Sequence, residues 1–338
     1  MTTRRNFLRQ TALGAAAVAA APTASIMAAT TNRAVDAEKY KSLRLSVLAY
    51  SFHGLVNNGM MDMFGFFETC KYRYGLDAAD LWVGMFASTD DEYLDKVVSG
   101  LEDRQLIVPN IALDAGAHFT HGDEAARKRA EGLQDRYLEI ANRLGVGFLR
   151  VDAGPNIEMK DEVDGWSERE FDYIVKRYRH MAQYAYDHGF VCGSENHWGP
   201  EGYWRHLKRI IDAVDHPGFG ICMHFGGWKL EEGINKLLTD SEKLALQMKY
   251  EKIAAPYVKH THIPWDVCES ETLAERLSYL RDINYKGYYS VEQHSGQNEY
   301  NLVEAQLSKV NAVLTNLNRG GNGELYIKDK KDPNHLRW

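Results

Sequence analysis

No Gly-x-Gly-x-x-Gly turn follows any apolar run of this chain, so a dinucleotide-binding fold has no support. Cysteine is scarce. Cys70, Cys192, Cys222 and Cys268 are the only four in 338 residues, and none is paired as Cys-x-x-Cys in the manner of a zinc cluster. Cys192 and Cys222 fall inside apolar runs and read as buried thiols, and a disulfide cannot be deduced from their spacing. Past the N-terminal stretch no apolar run reaches the roughly 18 residues of a membrane span. Basic residues do not dominate either. Lys and Arg number 40 against 47 Asp and Glu, a formal charge of -7, which argues against a nucleic-acid surface. A phosphate-cradling glycine loop is missing as well.

What is present is enough apolar material, 44% of the residues, for a sizeable core in one large domain. The N-terminus has a different character. Thr3-Arg4-Arg5-Asn6-Phe7-Leu8 leads into an alanine-rich run from Ala12 to Ala21 and small residues up to Ala29. A charged region, an apolar region and a small-residue zone in that order resemble a bacterial twin-arginine (Tat) signal. This implies export to the periplasm, and because the Tat route carries folded proteins, a metal would be loaded before export. The expected organisation is a signal over 1–30, a catalytic domain over 40–318 and a polar tail over 319–338. Asn318 to Gly323 reads as a linker, and the tail would pack on the domain or on a neighbouring copy, which leaves a homo-oligomer open.

Eight short apolar runs end in Gly, Asn, Asp, Pro or a polar residue and read as strands. They are Leu43–Phe52, Leu76–Trp82, Leu106–Leu113, Gly147–Val151, Phe190–Glu195, Phe219–His224, Val258–Ile263 and Gly287–Glu292. Amphipathic stretches at His121–Leu144, Ser167–His188, Gly202–Val214, Leu230–Ala254, Glu271–Ile283 and Asn301–Asn318 read as helices. Ser167 with Glu170 predicts a capping box, and Gly189 a helix end. Such βα alternation with short connections predicts an α/β fold, a (β/α)8 TIM barrel, with an open doubly wound sheet as the alternative.

Four polar residues close four of the later runs: Glu195, His224, His262 and Glu292, with gaps of 29, 38 and 30 residues. Each gap fits one helix plus one strand, and strand ends of a barrel converge on one rim. Alternation puts Glu195 on the face of Gly193 and His197, His224 on that of Cys222, and His262 on that of His260. Inward carboxylates are costly unless paired or metal-bound, so two carboxylates and two imidazoles predict a divalent-metal site.

These motifs resemble the sugar phosphate isomerase/epimerase group of the xylose isomerase-like TIM barrels, over about residues 43–316. Ser194-Glu195-Asn196-His197 matches the strand-five Glu, His260-Thr261-His262 the strand-seven His, and Val291-Glu292 the strand-eight Glu. Where the family usually carries a strand-six Asp, this chain has His224, and where its epimerases carry a further His it has Gly227. Imidazole in place of carboxylate makes the site softer, favouring Mn²⁺, Co²⁺ or Zn²⁺ over Mg²⁺. The resemblance implies metal-assisted proton abstraction beside the carbonyl of a sugar, with Glu195 and Glu292 flanking the carbon and His197 as proton donor or positioning group. Isomerase, epimerase and keto-glycoside lyase all follow from that step. Trp198, Trp228, Trp265, Arg150 and His260 are the expected substrate contacts. Tyr50, Phe52, Trp82, His53, Asp152, Asp266 and His294 are further rim candidates, while His118 and His121 read as loop surface. Export shifts the expected substrate from sugar phosphates to a free sugar, an oxidised glycoside or a polyol derivative. The alternatives are a non-catalytic carbohydrate-binding barrel and an endonuclease IV-like phosphodiesterase, the latter disfavoured by the negative charge.

Overall fold

The computed structural model describes residues 43–321, so the expected signal and the polar tail beyond 321 lie outside the described residues. Eight parallel strands form one curled sheet in the order β1-β8-β7-β6-β5-β4-β3-β2. They are β1 Leu45–Val47, β2 Leu81–Trp82, β3 Asn110–Leu113, β4 Phe148–Val151, β5 Val191–Glu195, β6 Phe219–His224, β7 Val258–Pro264 and β8 Tyr289–Glu292. Between β1 and β2 the sheet closes through a single bridge, Leu48 to Asp80, with Ala49 N–H donating to the Asp80 carbonyl at 2.8 Å. The TIM barrel expected from the alternation is the fold observed.

The main helices pack outside: α1 Met63–Glu68, α2 Asp91–Asp103, α3 Glu124–Arg143, α4 Glu168–Asp187, α5 Trp204–Val214, α6 Asp240–Ala254, α7 Leu273–Asp282 and α8 Glu299–Gly321. Helix α4 shows the local logic. The Ser167 hydroxyl accepts from Glu170 N–H, and the Glu170 carboxylate accepts from Ser167 N–H, the expected capping box. Its buried face, Phe171, Ile174, Val175, Tyr178, Met181, Ala182 and Ala185, repeats at helical spacing.

Strand alternation sorts the core into two populations. Cys192, Ile221, Met223, Ile263, Tyr289 and Val291 join the large cluster beneath the helices, whereas Phe148, Val191 and Cys222 make a separate small cluster. Above the latter lies a polar layer. Asp80 accepts from the Asn110 amide at 2.9 Å and the Ser290 hydroxyl at 2.7 Å, and lies 2.6 Å from His260 Nε2. At the β5–β6 contact Gly193 pairs with Gly220, and a Cβ on Gly193 would sit 1.7 Å from the Gly220 carbonyl oxygen, so only glycine permits this approach.

Several expected elements differ in detail. Strand β1 stops at Val47, because Ala49–Phe52 turns as a 3-10 segment and His53–Asn57 forms a short helix. The stretch Leu230–Ala254 is broken, and α6 starts only at Asp240, behind a Thr239–Glu242 capping box. Helices α1 and α2 were not among the expected ones; α2 is set by its Asp90 cap and by buried Leu94, Val97 and Leu101. The linker expected at Asn318–Gly323 is helical through Gly321 as the end of α8. All four cysteines are buried and free.

Candidate active site

Inward residues at the C-terminal ends of β4 to β8 converge on one polar cluster. Register places Glu195 beside Cys222, His224 beside His262, and Glu292 beside Pro264. Hydrogen bonds lock these ends together. The Asn196 side chain donates to the His224 carbonyl at 2.8 Å and accepts from His224 N–H at 2.7 Å. From outside, the Gln306 amide of α8 donates to the Glu292 carbonyl at 2.9 Å and the Ile263 carbonyl at 3.3 Å. A buried carboxylate, Glu201, supports the floor of the neighbouring loop by accepting from Ala153 N–H at 2.8 Å and the Tyr178 hydroxyl at 3.0 Å.

The donor atoms fall into two linked triads. Deep in the barrel, His262 Nδ1 lies 2.7 Å from Glu195 Oε1, with Cys222 Sγ at 3.6 Å from the same nitrogen. Nearer the mouth, His224 Nε2 lies 3.2 Å from one Glu292 oxygen and His294 Nε2 lies 3.1 Å from the other. The triads meet where Glu292 Oε2 comes within 3.8 Å of His262 Nδ1. His197 Nδ1 lies 3.6 Å from both Asp152 and Glu195. The rings of His197, His224 and His294 stack in sequence with centroids 5.9 Å apart.

Charge is balanced from one side by Arg150. Its guanidinium reaches Asp152 at 2.6 Å, Asp114 at 2.9 Å and Glu195 at 3.3 Å. Burial by itself would raise the pKa of Glu195, but His262, Arg150 and His197 outweigh it and hold this carboxyl below the usual range. Burial is likewise overcome at Glu292, where His262, His224 and His294 pull the pKa down. His262 and His224 are pushed up despite burial, the first by Cys222, Glu195 and Glu292, the second chiefly by Glu292. Even so, Glu195 Oε2, Glu292 Oε2 and His262 Nε2 are buried without a well-formed hydrogen bond, and are met by charged neighbours, Arg150 Nε at 3.3 Å, His224 Nε2 at 3.2 Å and Asp80 at 3.8 Å respectively. Buried polar atoms of this kind call for a partner, and carboxylate oxygens and imidazole nitrogens are suitable donors to a divalent cation. The residues present therefore fit such an ion.

A cavity of about 300 Å³ opens above this cluster. Its walls include Tyr50, Trp82, Asp114, His118, Arg150, His197, Trp198, Glu292 and His294. Tyr50 stacks on His53 at 4.5 Å and meets Trp82 edge-on at 5.1 Å, making an aromatic corner. The Trp82 indole donates to Asp114, which Arg150 also holds.

Of the residues singled out in the sequence, Glu195, His197, His224, His262 and Glu292 are brought together, and Arg150, His197, Trp198 and Glu292 reach the cavity. Three expected substrate contacts are placed elsewhere. Trp228 is 1% exposed and packs edge-on against Trp204 at 5.5 Å, behind the site. Trp265 opens a short helix after β7 and is not among the cavity-lining residues. His260 points into the polar layer, its Nε2 taken by Asp80 and its ring stacked on Phe148. His118, expected as loop surface, lines the cavity. Asp80, Asp114 and Glu201 escaped sequence reasoning. Asp80 in Ala79-Asp80-Leu81 could have been caught as a lone charge entering an apolar run, but Asp114 and Glu201 carry no such signal.

The family described as "Xylose isomerase-like TIM barrel" matches residues 71–311. No curated protein matches the sequence. Among solved structures, D-allulose 3-epimerase from Methylomonas sp. is 15% identical with a TM-score of 0.61, covering 80% of this chain and 98% of its own. A 3-keto-D-glucoside 4-epimerase from E. coli is 16% identical with a TM-score of 0.57, covering 74% and 94% respectively. The probable 3-DHS dehydratase of petrobactin synthesis from Bacillus anthracis is 14% identical, with a TM-score of 0.58 and coverage of 78% and 97%. At these identities the likeness is one of fold.

Proposed function

The chain belongs to the xylose isomerase-like TIM barrel family, and from that premise we propose a divalent-metal-dependent enzyme that removes a proton beside the carbonyl of a sugar or keto-sugar. The outcome would be isomerisation or epimerisation, or elimination from a keto-glycoside. One observation carries this reading. Two buried carboxylates, Glu195 and Glu292, lie 2.7 and 3.8 Å from one His262 nitrogen, and each keeps a buried oxygen without a well-formed hydrogen bond, met by an ion-pair neighbour, Arg150 at 3.3 Å and His224 at 3.2 Å. Glu195, His224, His262 and Glu292 would hold the ion, and this mixed nitrogen and oxygen set suits Mn²⁺, Co²⁺ or Zn²⁺ better than Mg²⁺. When bound, the ion polarises a substrate carbonyl and acidifies the adjacent C–H.

The chain's own residues supply the proton traffic. Glu292 faces the cavity and takes the proton; in an epimerase Glu195 returns one from the other side. His197, on the cavity wall beside Asp152, donates to a departing or developing oxygen. Trp198 and the Tyr50–Trp82 corner offer apolar faces to a sugar ring, and Arg150 with Asp114 offers polar contacts. The elimination branch has a specific point in its favour. A Cβ on Gly227 would lie 2.8 Å from the Asn196 carbonyl oxygen, so the extra imidazole of the family's epimerases has no room there. The sugar epimerases and the dehydratase that share the fold lend support to both branches. With the Arg4-Arg5 signal, we place the enzyme in the periplasm acting on a free sugar or oxidised glycoside rather than a sugar phosphate.

Incubation of metal-loaded protein with free sugars and 3-keto-glycosides in D₂O tests the reading. Deuterium incorporation or elimination is expected, and a loss of at least about 10³-fold in Glu292→Gln. Turnover unchanged in that variant would sink the assigned role. Metal uptake separates this enzyme from a carbohydrate-binding barrel without activity: no bound ion, and no gain in melting temperature with Mn²⁺, Co²⁺ or Zn²⁺, would leave the latter standing.

A further inference from the structure

Strand β6 carries two inward residues, Cys222 and His224, one pleat apart on the same face. His224 belongs to the mouth triad with Glu292 and His294. Cys222 lies one step deeper, opposite Glu195 in the β5–β6 register. The β6–β7 register shifts between Ile221 and Cys222, and irregularities of this kind re-aim side chains beside functional sites. Its Sγ is 3.6 Å from His262 Nδ1 and 3.8 Å from Glu195 Oε1, and all three side chains are buried.

Those separations have chemical meaning. Metal bonds of about 2.3 Å to sulfur and about 2.0–2.1 Å to nitrogen or oxygen put tetrahedral neighbours about 3.3–3.6 Å apart. The sulfur already stands at that spacing from the His262 nitrogen and slightly beyond it from the Glu195 oxygen; the 2.7 Å between His262 and Glu195 would open by about 0.6 Å. A fourth donor is at hand. Glu292 Oε2 is buried, lies 3.8 Å from His262 Nδ1 and is approached from the mouth by His224 Nε2 at 3.2 Å.

We propose that the Cys222 thiolate is a direct ligand of the metal, completing a Glu195–Cys222–His262–Glu292 set, with His224 acting from the mouth through Glu292. The inference rests on the metal-dependent reading above and revises its ligand set, with Cys222 in the place given there to His224 and a fifth coordination position left for the substrate. A sulfur donor selects Zn²⁺, Co²⁺ or Fe²⁺ and disfavours Mn²⁺ and Mg²⁺. On binding, the thiol loses its proton to solvent, as metal-bound thiols do.

X-ray absorption at the zinc edge of the full-length, Zn²⁺-loaded protein tests this without reference to turnover. One sulfur scatterer at about 2.3 Å is expected, absent in Cys222→Ala and retained in His224→Ala. The Co²⁺ form should show a thiolate charge-transfer band in the near ultraviolet that Cys222→Ala lacks, and circular dichroism of the variant checks that it folds. A shell of nitrogen and oxygen alone in the wild-type protein overturns the proposal and leaves the metal-dependent enzyme intact. Sulfur that persists in Cys222→Ala overturns it equally. A protein that takes up no metal overturns both readings.

Discussion

Three carboxylates of the site converge on one buried guanidinium, that of Arg150. It is almost fully buried and contacts Asp152, Asp114 and Glu195 at once. Removing it takes the shared guanidinium from three carboxylates, at least two of them deep in the barrel, and leaves Asp152 and Glu195 only their imidazole neighbours. Arg150→Met should therefore cost about 3–5 kcal/mol, the usual penalty for orphaning one side of a buried ion pair. Arg150→Lys should recover little, since one ammonium cannot reproduce the three-way guanidinium fork. Urea unfolding of the metal-free protein measures both, and a loss below about 1 kcal/mol in Arg150→Met would show that the cluster does not rely on this charge. At this scale the sequence was legible where chemistry broke a pattern. Glu195, His224, His262 and Glu292 stand out because each ends an apolar run, and their gathering at one rim follows from the barrel. Trp228 and His260 were less legible, because residue type does not tell which way a side chain leaves the backbone. Trp228 lies just past the turn after β6, where strand alternation no longer applies, and His260 shares the face of His262 yet is satisfied one layer deeper by Asp80.

Elements are positioned by contacts that periodicity alone cannot reveal. Under the site Gly193 faces Gly220 with no room for a Cβ, where β5 and β6 carry Glu195 and Cys222 forward in register. An added methyl at Gly193 meets backbone, which cannot yield as a flexible side chain would. Gly193→Ala should push the two strands apart, cost about 3 kcal/mol and weaken metal binding in parallel, readable as a lowered melting temperature and a raised metal dissociation constant. A variant as stable as the parent would mean that the β5–β6 spacing is soft. Strands β4 to β8 were legible nearly to the residue, because their apolar runs are bounded on both sides by turn residues or charge. The first three were not. β1 and β2 are only three and two residues long, and their flanks turn at once, so an apolar run such as Leu43–Phe52 overstates the strand. Helix α2 was hidden by its many charges, and the break before α6 by a run, Leu230 to Thr239, that contains no proline.

On the scale of the whole molecule, one apolar cluster runs from Leu43 to Leu314 and draws on every strand and on the outer helices. Glu195, His224, His262 and Glu292 come from four different strands, so the site exists only once the barrel has formed. Metal binding by ligands that folding assembles is coupled to folding, so on the reading proposed above an ion taken up in one compartment would stay with the folded barrel in the next. This joins the site to the N-terminal Arg4-Arg5 pattern. On the metal-dependent, exported reading proposed above, a route that carries folded protein would let the barrel close around its ion in the cytoplasm and leave already loaded. Fractionation of a bacterial host expressing the full chain is expected to place the protein in the periplasm, and replacing Arg4 and Arg5 together by Lys should hold it in the cytoplasm. With the outer compartment flooded by a chelator during synthesis, the exported protein should still carry about one metal ion per chain. Export that ignores the double substitution would overturn the signal, and periplasmic protein emptied by the chelator would show that the barrel is filled only after it crosses the membrane.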